Sequence, residues 1–467
     1  MYKREYGGVN MIDTYRTIKP QREFFSTGKT KDLNFRLDML KRLKDSIIRN
    51  EDEIIEALYK DLGKSPFESY ETEIGVTLKE ISYVMKNLKS WAKPKKAKTP
   101  FYHFPAKSII YREPYGIALI IAPWNYPFQL TLSPLIGSIA AGNCSILTVS
   151  QNVKNTSKIL YKIISESFND NFIKFHEGGS NVAKEFLKED LDYIFFTGSV
   201  PVGKKIMEQA SKHLTPVTLE LGGKSPCIVD IDADISISAK RIVWGKFLNA
   251  GQTCIAPDYL LVHKDKKNDL IKALKKTIKE FYGDNPIESD DYPRIINEKH
   301  FDRLSKLLLN GKILHGGSTK KENLYIEPTL MDSVTWNDEI MQDEIFGPIL
   351  PIIEYENIFE IIEKINSRPK PLALYLFTDN EKTEQKVLEN ISYGGGCVND
   401  TILHLSSPYL PFGGVGNSGI GSYHGKESFN TFTHQKSVFK NSKIFDLKFR
   451  YPPYTKAGMK ILKKIFE

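Results

Sequence analysis

IALIIAPWNYPFQLTLSPLIGSIAAGNCSILTV, residues 117–149, is the stretch from which the fold can be read. Two largely apolar runs, IALIIAP (117–123), which is unbroken, and CSILTV (144–149), interrupted only by Ser145 and Thr148, flank a segment long enough for a helix. A strand with one wet face alternates apolar and polar residues. A strand that is apolar at every position is covered on both faces. Parallel strands need a crossover of a dozen or more residues, and LTLSPLIGSIAAG supplies one. The spacing predicts β–α–β in a parallel sheet.

The same rhythm extends outward. KNTSKILYKIISES reads as the next helix, FIKFHEG and DYIFFTGS as the third and fourth strands, and PVTLELGG (216–223) as the fifth. This alternation implies a doubly wound α/β sheet, which binds ligands beyond the carboxyl ends of its strands. After LGGKSPCIVD a second β/α series runs through YLLVH, LYIEPTLMDSV, ILPIIEYE and LALYLFT to GGGCVND, which places a domain boundary near Leu221. Upstream, NFRLDMLKRLKDSIIRNEDEIIEALYKDLG carries Leu37, Leu40, Leu43, Ile47 and Ile48 at helical spacing and ends at Gly63, a C-cap. ETEIGVTLKEISYVMKNLKSWAK repeats that period. AKSIIYREP and THQKSVFKNSKIFDLKFRYPPY read as extended arms.

Bulk properties narrow the class. A chain of 467 residues, with 41% hydrophobic and 26% charged residues, is an ordinary globular protein too long for one core. Four cysteines cannot staple it, so free thiols in a reducing compartment are expected. The net charge of +8 is small for the length, and no basic stripe with stacking aromatics marks a nucleic-acid surface before the C-terminus. MYKREYGGVNMIDTYRTIKP has no apolar core of a signal peptide, and no later run approaches a membrane span. The first ten residues precede Met11 and are expected to be dispensable.

Four loops end apolar strands with polar or glycine-rich residues: APWNYPF (122–128), FTGSVPVG (196–203), LELGGKSP (219–226) and AGQTC (250–254). They gather a thiol, a carboxylate, a side-chain amide and glycine turns. Each alone is an ordinary strand-to-helix turn. Together, in this order and spacing, they resemble the aldehyde dehydrogenase superfamily, from about Leu33 to Tyr454. GQTCIAPDY, QDEIFGPILP, RPKPLALYLFT, VNDTILHLSSPYLPFGGVGNSG and YHGKESFNTFTHQKS resemble its class 3, or fatty-aldehyde, branch.

The resemblance implies a Rossmann-like cofactor-binding domain (1–97 and 115–221), a catalytic α/β domain (222–416), an oligomerising β arm (98–114 and 435–450) and a basic amphipathic tail (451–467). It implies that Cys254 is the nucleophile that forms a thiohemiacetal, as aldehyde oxidation requires. Nearby dipoles or the cofactor are expected to lower its pKa. Asn125, with the Cys254 backbone N–H, is the implied oxyanion donor. Glu220 is the implied general base for thioester hydrolysis. Relatives that pass the acyl group to coenzyme A usually lack this glutamate. Its presence therefore disfavours an acylating dehydrogenase, and the intact set disfavours a silent binding protein of the same fold. Cys144, Cys227 and Cys397 lie in apolar strands and read as structural.

For NAD or NADP the implied contacts are Trp124, Thr148, Gln151, Gly198, Ser199, Gly203, Gly222, Glu344 and Phe346, with Lys224 facing the nicotinamide. Relatives carry a KPSE-like loop where this chain has TVSQ (148–151), so both charges are absent and weak discrimination between the two cofactors is expected. No metal site is expected. The expected activity is NAD(P)-dependent oxidation of an apolar aldehyde (medium- or long-chain aliphatic, aromatic or terpenoid-type) to its carboxylic acid. The expected assembly is a cytoplasmic homodimer. In the tail, Met459, Ile461, Leu462, Ile465 and Phe466 oppose four lysines, which implies peripheral contact with an anionic membrane surface.

Overall fold

The computed structural model describes residues 13–444 and 446–467; the expectation for the first ten residues falls outside them. The strands Ile117–Ala122 and Cys144–Val149 are parallel, in register from Ile117 opposite Cys144 to Ala122 opposite Val149, and buried at every position. The crossover helix between them, Pro127–Ala141, is also buried on all sides. Pro127 opens it where the missing N–H costs nothing, and Gly142 closes it in the left-handed region at φ +96°. Gly137 lets a neighbouring helix, Lys426–Thr431, approach closely, since a Cβ there would stand 2.8 Å from Ser428 Cβ.

These strands centre a six-stranded sheet. In spatial order it runs Gly419–Ile420, Val217–Glu220, Tyr193–Thr197, Ile117–Ala122, Cys144–Val149 and Ile173–Phe175. All neighbours are parallel except Gly419–Ile420, which returns from near the C-terminus and pairs antiparallel with Val217–Glu220. That return is not visible in the β/α rhythm, because a two-residue strand carries no periodicity.

The chain leaves this sheet after Glu220 and enters a second, seven-stranded sheet at Pro226. The second sheet runs Lys312–His315, Thr329–Asp332, Ile349–Tyr355, Tyr259–His263, Pro226–Val229, Ala373–Phe377 and Gly395–Val398, with only the first strand antiparallel to its neighbour. Leu221–Ser225 therefore forms the seam between the sheets.

The long helical run before Gly63 is two helices, Leu33–Arg49 and Glu51–Leu62, broken at Asn50. There the Asn50 side chain donates to the Ser46 carbonyl at 2.8 Å, a local bond that competes with helix continuation. Gly63 ends the second helix at φ +68°. The two arms form one sheet: Lys107–Pro114 pairs antiparallel with Lys95–Ala97 on one side and Thr433–Lys440 on the other. The strand of the second arm stops at Lys440, earlier than its sequence suggests. The tail is a helix, Lys456–Phe466, started by the Thr455 hydroxyl accepting the Gly458 N–H at 3.0 Å.

Candidate active site

A cavity of about 500 Å³ lies between the two sheets. Its wall takes Trp124 and Asn125 from the turn after Ile117–Ala122, Gly198 and Ser199 from the turn after Tyr193–Thr197, and Glu220 and Gly222 from the seam. It also takes Cys254, Glu344 and Phe346 from loops of the second sheet. Much of the remaining lining is apolar, including Val76, Leu130, Ile255 and Leu372.

Cys254 is half-buried and follows a strained turn. The helix Ile235–Phe247 is followed by Asn249 at φ +52° and Ala250 at φ +50°, a left-handed conformation that costs non-glycine residues about 1 kcal/mol each. Gly251 continues it at φ +73°, where a Cβ would stand 2.3 Å from the Gly347 carbonyl oxygen. Burial pushes the Cys254 thiol well up, and the Glu344 and Glu220 carboxylates add to it. The backbone N–H groups of Cys254 and Ile255 pull the other way and are outweighed. The expected lowering of this thiol is thus not present in the protein alone: the dipoles are there, but desolvation and two acids dominate.

Glu220 ends its strand with its backbone opposite Thr197 and Gly419. It is 3% exposed, and neither carboxylate oxygen has a hydrogen-bond partner among the described residues. Burial therefore drives its pKa well above the usual carboxylate range. A buried acid left unpaired in a cavity is a structural liability that marks a site of proton chemistry. Asn125 is also 3% exposed. Its backbone carbonyl accepts from Asn249 Nδ2 at 2.8 Å and Lys64 Nζ at 3.1 Å, so the loop is held from below.

The residues expected to meet the dinucleotide divide into two groups. Gly198 and Ser199 lead into the helix Val200–Ser211 and line the cavity; the Gly198 N–H is taken by the Glu220 carbonyl at 2.9 Å, and Ser199 at the N-cap makes no side-chain cap bond, so an uncapped helix N-terminus lies at the wall where a phosphate fits. At Gly222 a Cβ would fall 2.1 Å from Glu344 Oε2, so only glycine permits this carboxylate to lie across the seam. Burial, with the nearby Asp258 carboxylate adding to it, raises Glu344 to about 8 against the Gly223 N–H, Lys224 and Arg303, and among the described residues its Oε1 has no partner. Trp124 and Phe346 meet edge to face at 5.3 Å, and Phe346 holds φ +51°. A bare helix N-terminus, an orphaned carboxylate oxygen and a glycine-floored cleft fit a dinucleotide.

The second group does not reach the cavity wall. Gly203 faces inward, and a Cβ there would stand 2.6 Å from Leu221 Cδ2; it packs the helix onto the seam. Thr148 is completely buried and its hydroxyl has no partner, while Gln151 is exposed beyond the strand end. Lys224 is engaged elsewhere: its amine pairs with Asp258 and donates to the carbonyls of Ile340 and Asp343, both at 2.9 Å. Asp258 in turn accepts the Ile345 N–H at 2.8 Å, so Lys224 ties the seam to the loop that carries Glu344.

Cys144 and Cys227 are fully buried. Cys397 is half-buried, with Sγ 3.6 Å from His404 Nδ1. Among the described residues there is no cluster of potential metal ligands.

Sequence reasoning missed a buried polar layer under the loops. Lys64 and Glu73 form a 2.6 Å ion pair with both side chains fully buried. Glu73 Oε2 accepts from the N–H groups of Phe128 and Gln129 at 2.8 and 3.1 Å, capping the crossover helix. Lys64 lies 3.9 Å from the Tyr126 ring centroid, and the Tyr126 hydroxyl meets Thr253 Oγ1 at 2.6 Å. The available signal was GKSPFESYETE (63–73), where a lysine and acids stand among helix-forming residues with no surface role.

Comparison with known proteins agrees with this geometry. Residues 11–438 match the Aldehyde dehydrogenase family. The chain is 52% identical to 4,4'-diaponeurosporen-aldehyde dehydrogenase of Staphylococcus aureus over 98% of its own length and 100% of the relative's. It is 45% identical to the dimeric NADP-preferring aldehyde dehydrogenase of Rattus norvegicus over 94% of this chain and 97% of that one. Among solved structures, the substrate-bound state of Staphylococcus aureus AldH superposes with a TM-score of 0.96 at 50% identity, covering 98% of this chain and 100% of that chain.

Proposed function

This chain belongs to the aldehyde dehydrogenase family and oxidises aldehydes with NAD or NADP, and on that footing we propose that it converts an apolar aldehyde to a free carboxylic acid through a thioester on Cys254. The observation that carries this reading is the single cavity in which a half-buried thiol, an unpaired buried carboxylate and a side-chain amide meet under a largely apolar wall.

Cys254 gives up its thiol proton to water, and the sulfur attacks the carbonyl carbon, forming a C–S bond as the C=O π pair moves onto the aldehyde oxygen as negative charge. The Asn125 side chain and the Cys254 N–H receive that charge, a contribution of about 3–4 kcal/mol for a well-placed donor. A dinucleotide held against Trp124, Gly222, Glu344 and Phe346 would supply the acceptor for the hydride on that carbon, the oxidation that takes the adduct to a thioester. Glu220 then takes a proton from water, which attacks the thioester carbon; the C–S bond breaks, and the acid is released. A carboxylate pushed well above its usual range is suited to hold that proton near neutral pH. Glu344 and Phe346, held against Gly222 and Trp124, are the residues placed to orient the nicotinamide end.

The apolar substrate class rests on the cavity lining, and it accords with the aldehyde for which the Staphylococcus aureus relative is named. The exposed strand Thr433–Lys440 of the arm sheet, with Phe439 50% exposed, supports a homodimer that covers it. The tail supports contact with anionic membrane: Met459, Ile461 and Phe466 are exposed beside four lysines, although Phe466 also packs on Tyr102 at 5.8 Å. Among the described residues no helix is long and apolar enough to cross a membrane. Deleting Met459–Glu467 is expected to abolish sedimentation with anionic vesicles, and unchanged sedimentation would refute the contact.

The test of the reaction is NADH and NADPH absorbance with a panel of aldehydes, with and without coenzyme A. Turnover of apolar aldehydes independent of coenzyme A is expected. A strict coenzyme A requirement would overturn hydrolysis.

A further inference from the structure

SPFE, Ser65–Glu68, has the form of a capping box, in which the glutamate would turn back to the N–H of the first residue. Half of it forms: the Ser65 hydroxyl accepts the Glu68 N–H at 3.2 Å. The Glu68 carboxylate goes elsewhere. Its Oε1 accepts the N–H of Asn249, 181 residues away, at 2.9 Å. That amide belongs to the first residue of the left-handed pair Asn249–Ala250 that leads into Cys254. Glu68 is 6% exposed, and burial raises it to about 7 against the opposing Lys64. A helix of four residues does not require a buried acid for its own stability, so the side chain is placed for the loop it bonds.

Asn249 is the hub. Its amide is held by Glu68, and its side chain donates to the Asn125 carbonyl at 2.8 Å and the Gln252 carbonyl at 3.2 Å. The Asn125 carbonyl also accepts from Lys64, whose ammonium is fixed by Glu73. A continuous hydrogen-bonded strut thus joins the turn before the thiol to the peptide of the oxyanion loop.

We propose that Glu68 is a positioning residue for the thiol chemistry: by accepting the Asn249 N–H it holds the left-handed turn that sets Cys254 against Asn125. This rests on Cys254 being the nucleophile. Because Glu68 touches no part of the cofactor cleft, its loss acts on kcat and on thiol reactivity and leaves dinucleotide affinity alone. The acceptor matters rather than the charge, so a glutamine serves and a shortened acid does not.

The experiment compares Glu68→Gln, Glu68→Asp and Glu68→Leu in the full chain. It measures kcat and KM, the NAD dissociation constant, and the rate of iodoacetamide labelling read at the Cys254 peptide by mass spectrometry. Glu68→Gln is expected within threefold of wild type in every reading. Glu68→Asp and Glu68→Leu are expected to lose at least tenfold in kcat and to change the labelling rate at least threefold, with the NAD constant unchanged. If Glu68→Leu does not fold, Glu68→Asp carries the test. Equal kcat in Glu68→Asp and wild type, or a glutamine variant as impaired as the aspartate one, would overturn the proposal. Cys254→Ser, run in parallel, separates the premise: turnover in that variant overturns the nucleophile assignment, whatever Glu68 does.

Discussion

Asn249 is gripped at its amide by Glu68, at its side chain by Asn125 and Gln252, and at its carbonyl by the Gln252 side chain at 3.1 Å. At the end of the strand Cys144–Val149, by contrast, the Thr148 hydroxyl is buried with no partner and Gln151 stands exposed. The first region surrounds the proposed nucleophile; the second is the proposed adenosine end of the cofactor cleft. The difference teaches where this chain requires accuracy. Covalent chemistry tolerates displacements of well under 1 Å, so the turn before Cys254 is over-determined and its backbone strain is held by several bonds. The adenosine end carries no charged group at either position, so binding there is expected to be permissive between NAD and NADP.

The sharpest way to break this comparison is to remove the thiol. Cys254→Ser is expected to lower turnover by more than about a thousandfold while the NAD dissociation constant stays within threefold. Fluorescence titration and NADH production read the two halves separately. Near-wild-type turnover would remove Cys254 from the chemistry.

A second test uses pH. A thiol raised by burial and by the Glu344 and Glu220 carboxylates is neutral at pH 7, and its thiolate fraction grows about tenfold per pH unit below its pKa. In the cofactor-free protein, iodoacetamide labelling of Cys254 is therefore expected to keep climbing through pH 9. A plateau below pH 8 would show a stabilised thiolate and reverse the electrostatic account.

The smallest expected effect is at the other region. Gln151→Lys, at the exposed position beyond the strand end, is expected to tighten NADP by about tenfold, from a charged hydrogen bond of about 1.5 kcal/mol, and NAD by less; a lysine at Thr148, which is fully buried, would have no solvated place for its charge. Isothermal titration of both cofactors against both proteins measures it. A wild-type preference above a hundredfold for either cofactor would show that residues outside this loop set the choice.

The parallel strands were legible because apolar runs such as IALIIA are buried on both faces and leave no polar alternation to confuse them. The loops that carry Asn125 and Glu220 were legible because glycine and polar residues punctuate strand ends; AGQTC was read the same way but follows the helix Ile235–Phe247, and Cys254 was singled out only through the family resemblance. Gly419–Ile420 was not, since two residues have no period. Glu68, Lys64 and Glu73 were not, because on a helix a lysine and acids read as surface; only the tertiary packing of the N-terminal helices under the Asn125 loop buries them. Lys224 was expected to face the nicotinamide, but its amine pairs with Asp258, 34 residues away, and sequence spacing does not reveal that pairing.

The central claim is that an acyl group passes through Cys254 and that Glu220 releases it. The direct measurement mixes Glu220→Gln with NAD and an apolar aldehyde, follows NADH in the first seconds, and then takes the mass of the Cys254 peptide. The account predicts a burst of about one NADH per active site, slow turnover afterwards, and a Cys254 peptide heavier by the acyl group. Steady turnover at the wild-type rate, with no burst and an unmodified Cys254 peptide, would contradict it.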